Sequence, residues 1–151
     1  MNRIFYYSLL AIFIIGCFSG QGYESPEKLA QALILAINQK DPEQFKNLIH
    51  PECKAGLSEL EQKYLDLTIK NSLESVIPEN AETKIYELKG WSPSSGENMP
   101  RWPITPTHEL SIDFSTGNNS SKSIGNYIAK DKGRWFLVWA FPDKNTLKDI
   151  K

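Results

Sequence analysis

The sequence contains few of the residues that build metal centres and disulfide frameworks, with two cysteines and two histidines among 151 residues. It has no cysteine–histidine spacing typical of zinc sites, no glycine-rich phosphate loop and no nucleophile elbow. The 17 basic side chains nearly balance the 18 acidic ones, and no basic run or stripe occurs. A nucleic-acid partner is therefore not expected, because such proteins concentrate positive charge on one face. We also expect no cofactor and no bound metal.

No hydrophobic run is long enough to cross a bilayer, since a transmembrane helix needs about 20 apolar residues. The most apolar stretch runs from Ile4 to Ile15 and follows a short N-terminal segment with one positive charge, at Arg3. A short cationic end, an apolar stretch of roughly 7–15 residues and then small residues are the layout of an export signal. The pattern predicts that the protein is exported.

The apolar stretch ends at a cysteine. Ile14-Ile15-Gly16-Cys17 resembles the bacterial lipobox, in which an aliphatic residue, a small or branched residue, Gly or Ala and then Cys are recognised by lipoprotein-processing enzymes. The resemblance implies cleavage after Gly16 and a diacylglycerol thioether on Cys17. The acyl chains would hold the protein at the membrane, since each buried methylene contributes about 0.8 kcal/mol. The alternative is a disulfide between Cys17 and Cys53, which an oxidising compartment would permit.

These features divide the chain into three parts. Residues 1–16 are expected to be a lipoprotein signal peptide, residues 17–25 the lipidated Cys17 and a short tether, and residues 26–151 one folded domain. As a flexible coil the tether would span about 15 Å, which keeps the domain close to the bilayer. Phe18, rather than an aspartate, follows the lipid cysteine, and this favours the outer membrane in a cell with two membranes.

Helical periodicity dominates the first half of the domain. Ser25-Pro26 and Asp41-Pro42 each place an N-cap residue before a proline suited to a first helical turn. A third helix is predicted from Leu57 to Ile77, where Pro78 stops it. The residues expected to face the core are Leu29, Leu33, Ala36 and Ile37 in the first helix, Phe45, Leu48 and Ile49 in the second, and Leu57, Leu60, Tyr64, Leu67 and Val76 in the third.

The second half of the domain alternates with the period of β-strands. The predicted strands are Thr83–Leu88, Thr107–Ser115, Ser123–Lys130 and Arg134–Phe141. The last two form a hairpin across Asp131-Lys132-Gly133, where glycine can adopt a positive φ. Because the last strand is apolar on both faces, it is expected to be central or strongly curved. Helices followed by antiparallel strands predict an α+β domain.

The order of elements resembles the nuclear transport factor two-like superfamily, which includes the SnoaL-like and ketosteroid-isomerase-like proteins. The resemblance rests on the aliphatic helix and charged turn of Leu29 to Ile49, and on the closing hairpin YIAKDKGRWFLVWAF. It implies a cystatin-like cone, in which a curved antiparallel sheet wraps over N-terminal helices. In such proteins the enzymes place a carboxylate or a histidine, often beside a tyrosine, inside the cone. Other members use the cavity or the open sheet to bind proteins.

Few side chains are candidates for chemistry inside a cone. His108 alternates with Leu110 and Ile112, so it could point inward as a base, or it could pack at the strand end against Pro106. Tyr64 is expected in the core with its hydroxyl on one partner. His50 is expected to cap the C-terminus of the second helix, and Asp113 to face solvent. Acid–base catalysis needs two groups that converge on one substrate atom, and the sequence predicts no such pair.

A long loop of 18 residues, GWSPSSGENMPRWPITPT from Gly90 to Thr107, joins two of the predicted strands. Ordered loops of this length are uncommon and tend to be lids or binding elements. Trp91, Arg101 and Trp102 are candidate contact residues, because Trp and Arg are favoured anchors of interfaces. The alternative is that both tryptophans plug the open end of the cone.

The sequence therefore predicts a membrane-anchored bacterial envelope lipoprotein with a cone-like α+β domain. We expect the domain to act by binding, either to another envelope protein or to a small apolar ligand, and not by catalysis. The alternative is a small isomerase or dehydratase that uses His108 with Tyr64 or a carboxylate.

Overall fold

The computed structural model describes residues 22–93, 99–116 and 120–149. Three helices come first: α1, Pro26–Gln39; α2, Pro42–Leu48; and α3, Glu59–Ser72, with a short 3₁₀ helix at Pro51–Cys53 before α3. Four strands follow: β1, Glu82–Glu87; β2, His108–Ser115; β3, Ser121–Asp131; and β4, Arg134–Val138. A last short helix, α4, is Lys144–Lys148. The prediction of an α+β domain is confirmed.

The helices begin at side-chain caps, because the first N–H groups of a helix have no partner within it. Ser25 and Asp41 are N-caps, as predicted, and accept hydrogen bonds from the backbone of Lys28 and Gln44. Helix α3 begins later than predicted, at a capping box: the Ser58 hydroxyl accepts from the Glu61 N–H, and the Glu61 carboxylate accepts from the Ser58 N–H at 2.8 Å.

The predicted core-facing set of the third helix is only partly right: Leu57 and Tyr64 pack against the core, but the other three residues of the set are exposed. Leu60 and Leu67 are 38% and 41% exposed, and Val76, which lies beyond the end of the helix, is 70% exposed. The buried residues of α3 are Leu65 and Ile69. The helix carries two apolar stripes at helical spacing, and the stripe that packs lies on the side where α3 contacts α2 and α4. Periodicity alone could not choose between them.

The four strands form one antiparallel sheet in chain order, β1-β2-β3-β4. Lys132 and Gly133 both have positive φ in the two-residue turn between β3 and β4, as the twist of a tight hairpin favours. Leu110, Ile112 and Phe114 of β2 are buried on the face that packs against the helices, and α1 contacts β1, β2 and β4. The opposite face of the sheet is called the outer face below.

Strand β4 is an edge strand and not a central one, which corrects one prediction from its apolar sequence. Its free edge is instead covered at four points by three earlier segments of the chain. At alternate residues the pairs are Tyr23 with Trp135, His50 with Leu137, Cys53 with Trp139 and Arg101 with Phe141. An exposed edge strand would offer unpaired backbone groups to other chains. These contacts explain why an edge strand can be apolar on both faces.

The space between the helices and the sheet is filled. Leu29, Leu33 and Ile37 of α1 and Leu110 and Ile112 of β2 have no exposed surface. A side chain that lined a cavity large enough for water would expose some area to it, so these residues contact neighbouring atoms throughout. The centre of the domain is a packed core.

Replacement of Phe141, which follows the end of β4, tests how much this packing contributes to stability. Phe141 is fully buried, packs edge-to-face against Tyr64 and pairs with Arg101 through its backbone. We expect Phe141→Ala to lower the free energy of unfolding by about 3–5 kcal/mol, because it removes a large buried ring. Val76→Ala is the control and should change it by less than about 0.5 kcal/mol. Urea unfolding measures both, and a loss below about 1 kcal/mol for Phe141→Ala would contradict this account.

Candidate functional site

The two tryptophans of the long loop lie together on the outer face of the sheet. The ring centroids of Trp91 and Trp102 are 5.2 Å apart in an edge-to-face arrangement. Both rings also contact Tyr127 of β3, at 6.1 Å and 5.1 Å between centroids. Tyr127 remains 37% exposed, and both tryptophans are partly exposed. Residues 94–98 of the loop lie outside the described part of the chain.

The register of the sheet extends this cluster by two residues. Glu109 of β2 pairs with Tyr86 of β1 on one side and with Tyr127 of β3 on the other. Cross-strand partners share a face, with Cβ atoms about 4.5–5.5 Å apart. Tyr86 is 50% exposed. We call Trp91, Trp102, Tyr127 and Tyr86 the aromatic patch, and Glu109 lies between its two tyrosines.

The outer face at the other end of β1 and β2, beyond Glu109, is polar and internally paired. Asp113 accepts hydrogen bonds from Lys84 at 2.8 Å and from the Ser111 hydroxyl at 2.6 Å, and the Ser111 and Ser123 hydroxyls are 2.7 Å apart. The hydrogen bond from Lys84, followed by those from the two serines, holds the pKa of Asp113 far below its ordinary value. This network satisfies its members, so it offers little to a ligand.

Trp102 combines the two roles that the sequence left open. Its side chain packs against the hydrophobic core. Its ring also forms part of the exposed aromatic patch. Trp91 contacts Trp102 and Tyr127 and is not among the residues packed against the core. Trp91 is therefore the cleaner probe of binding, and Trp102 reports on stability as well.

Arg101 points away from its neighbour Trp102. Its guanidinium donates to the Glu61 carboxylate, with Nε 3.0 Å from Oε1, and lies 5.0 Å from the centroid of the Phe141 ring. Burial acts to raise the pKa of Glu61, but hydrogen bonds from the Ser58 backbone and from the Arg101 guanidinium together hold it below its ordinary value. Arg101 thus fastens the end of the long loop to α3 and to the chain beyond β4.

Tyr64 and His108 contact different ends of the last strand and its continuation. The Tyr64 ring lies 6.2 Å from that of Phe141, and the His108 ring lies 4.9 Å from that of Trp135, centroid to centroid. His108 Nδ1 is 2.9 Å from the Thr107 hydroxyl. Six residues separate Trp135 from Phe141, which is about 20 Å of extended chain. The described geometry does not bring these two groups to one substrate atom.

His50 was predicted to cap the C-terminus of α2, and this prediction is wrong. It caps the N-terminus of the 3₁₀ helix instead. Its Nδ1 accepts from the Glu52 N–H at 3.1 Å, and its Nε2 lies 3.3 Å from an Asp131 carboxylate oxygen. This pattern assigns the proton of the neutral ring to Nε2. A groove of about 280 Å³ lies beside the pair. Since both ring nitrogens are engaged, His50 has no free nitrogen to act as a base.

Cys53 is a free, fully buried cysteine. Its sulfur accepts a hydrogen bond from the Trp139 N–H at 3.4 Å, and burial raises the pKa of its thiol. These features suit a packed side chain better than a nucleophile. Cys17, the predicted lipidation site, lies outside the described residues.

No group of three or more His, Cys, Asp or Glu residues that could hold a metal ion occurs in ranges 22–93, 99–116 and 120–149. None of the helices within those ranges is long and apolar enough to span a membrane.

Comparison with known proteins adds one likeness. Neither a protein-family model nor a curated protein matches the chain. A solved structure from Campylobacter jejuni, provisionally described as an NTF2-like transpeptidase, aligns with 75% of this chain and 96% of its own, at 11% identity and a TM-score of 0.46. A likeness at this level does not establish a shared fold or a shared activity.

The buried thiol leads to a test of reactivity. In the Cys17→Ser variant, Cys53 is the remaining cysteine of the chain. We expect Ellman's reagent to modify it at the rate of unfolding, because the thiol is covered and its raised pKa keeps it protonated near neutral pH. In urea above the unfolding midpoint, the reaction should be as fast as that of the reagent with a fully accessible thiol. Fast modification of the folded protein would show that Cys53 is accessible.

Proposed function

We propose that the protein is an exported bacterial lipoprotein, anchored through lipid on Cys17, whose domain is a non-catalytic binding module for another envelope protein. The observation that carries the binding role is the aromatic patch, with Tyr86 50% and Tyr127 37% exposed beside two tryptophans. Clusters of Trp and Tyr at a surface are typical of the residues that contribute most to protein interfaces.

The packed interior supports a partner on the surface over a ligand in the cone. Leu110, Ile112 and Ile128, which would line a cone cavity, have no exposed surface. A pocket for a small apolar ligand would need several hundred Å³ of space. The enzymatic alternative has less support, because Tyr64 and His108 contact different residues and His50 has both nitrogens engaged.

The proposal includes a nuclear transport factor two-like cone for the domain. It is supported by the element order, with α1 packed against an antiparallel sheet, and by the two sequence segments that carry the resemblance. In this arrangement the helices cover one face of the sheet, and the outer face, which carries the aromatic patch, is left to a partner.

The anchoring part of the proposal is tested by mass. The intact wild-type protein, isolated from membranes, should begin at Cys17 and carry diacylglycerol. Cys17→Ser should abolish both cleavage and lipid, whereas the control Cys53→Ser should leave both intact, because Cys53 is buried in the domain. A wild-type protein with an unmodified Cys17 would disprove the anchor.

The binding role is tested by replacing exposed residues of the aromatic patch and, as a control, an exposed hydrophobic residue outside it. Proteins captured from envelope extract would be identified, and the dissociation constant of the purified partner measured with each variant. Trp91→Ala and Tyr86→Ala should each weaken binding by about 2 kcal/mol, or roughly thirtyfold, if they are anchors. Leu35→Ala is the control, since Leu35 is 46% exposed on α1, away from the patch.

Thermal melts accompany these measurements. Trp91→Ala and Tyr86→Ala should melt close to wild type, whereas Trp102→Ala should melt earlier because the Trp102 side chain also packs against the core. Equal affinity of wild type, Trp91→Ala and Tyr86→Ala for the partner would show that the aromatic patch is not the binding surface.

A further inference from the structure

Glu109 has no polar partner in the described part of the chain. Asp113, on the same strand and face, binds Lys84, and Glu87 lies 3.5 Å from Lys89. The basic side chains nearest to Glu109 in the register of the sheet are thus engaged with other carboxylates. Within ranges 22–93, 99–116 and 120–149, no hydrogen bond or ion pair involves the Glu109 carboxylate.

The space in front of this carboxylate is open on one side. A methyl group placed at Gly125 would lie 3.4 Å from Glu109 Oε1. The carboxylate therefore lies next to a residue that has no side chain to cover it. Gly125 is exposed, and Glu109 itself is partly exposed. An incoming group can therefore reach the carboxylate from above Gly125.

The surroundings of Glu109 are aromatic. Tyr86 and Tyr127 lie directly across from it on the two neighbouring strands, and Trp91 and Trp102 pack around Tyr127. The faces of Trp and Tyr rings attract cations, and arginine is the cation found most often on them. A negative charge without a partner inside an aromatic patch has the charge and the shape complementary to an organic cation.

We propose that Glu109 and the aromatic patch form a site for an arginine or lysine side chain of a partner protein. This inference rests on the proposed binding function, since it specifies the chemistry that the partner brings to the same surface. The site lies on an open sheet face and not in an enclosing pocket, which suits a side chain presented by a second protein. The partner's other contacts would supply the rest of the affinity.

The test uses the full-length protein in a non-ionic detergent and a fluorescent arginine–serine repeat octapeptide. A matched peptide replaces each arginine with citrulline, which keeps the shape and removes the charge. We expect the citrulline peptide to bind at least about tenfold more weakly. Glu109→Gln should weaken the arginine peptide by about three- to tenfold, the size of one cation–π or ion-pair contact.

The control variant is Glu82→Gln, which removes the same charge from the same face. Glu82 pairs in register with Asp113, two residues along β1 from Lys84, and it is exposed. Affinity within about twofold of wild type is expected for this control. Glu109→Lys should reverse the preference, so that a glutamate–serine peptide binds better than the arginine peptide.

Three results would overturn the inference. Equal affinity of Glu109→Gln and wild type for the arginine peptide would remove Glu109 from the site. An equal loss in Glu82→Gln would mean unspecific attraction by the face as a whole. Quenching of tryptophan fluorescence by tetramethylammonium, without binding of the arginine peptide, would indicate a site for small organic cations instead.

The same variants separate this inference from the binding function. If Trp91→Ala loses the partner while Glu109→Gln keeps full affinity for both partner and peptide, the binding surface stands and the cation site is overturned. If the peptide results follow the expected pattern while Trp91→Ala keeps the partner, the cation site is supported and the partner binds elsewhere.

Discussion

The free edge of the last strand is the constraint on which the remaining structure depends. Three segments that are distant in sequence meet the backbone of β4 and its continuation at alternate residues, starting with Tyr23 at Trp135 and ending with Arg101 at Phe141. Backbone groups that are removed from water need partners, so each segment is fixed in place by the same strand. The segment before α1, the turn after α2 and the end of the long loop are therefore all held along the same edge of β4 and its continuation.

The covered edge also bears on the binding surface that we propose. One face of the sheet is packed against the helices, and the edge at β4 is occupied, so the exposed sheet surface is the outer face of β1, β2 and the adjoining part of β3. Its polar half, centred on Asp113, is internally paired. Its aromatic half, around Tyr127, retains exposed rings and the Glu109 carboxylate, which has no polar partner among the residues that the structure describes. In the function that we propose, this division of the face places recognition at its aromatic end.

Much of the fold follows from local chemistry that can be read in the sequence. The caps Ser25 and Asp41, the turn at Gly133 and the alternation along β2 each express the preference of a few neighbouring residues, and all of them form as predicted. The buried side of α3 does not follow in this way. Leu67 and Leu65 belong to two equally periodic stripes, and the choice between them is made by the elements that α3 packs against.

At the candidate site, too, some features follow from the local sequence and others depend on the tertiary structure. The sequence by itself determined that Trp91, Arg101 and Trp102 would stand in a long loop as candidate contact residues. The tertiary structure alone decided that Tyr86 and Tyr127 flank Glu109, because strand register depends on pairing across distant segments. It also turned Arg101 towards Glu61, away from the tryptophans, since that contact joins residues 40 positions apart.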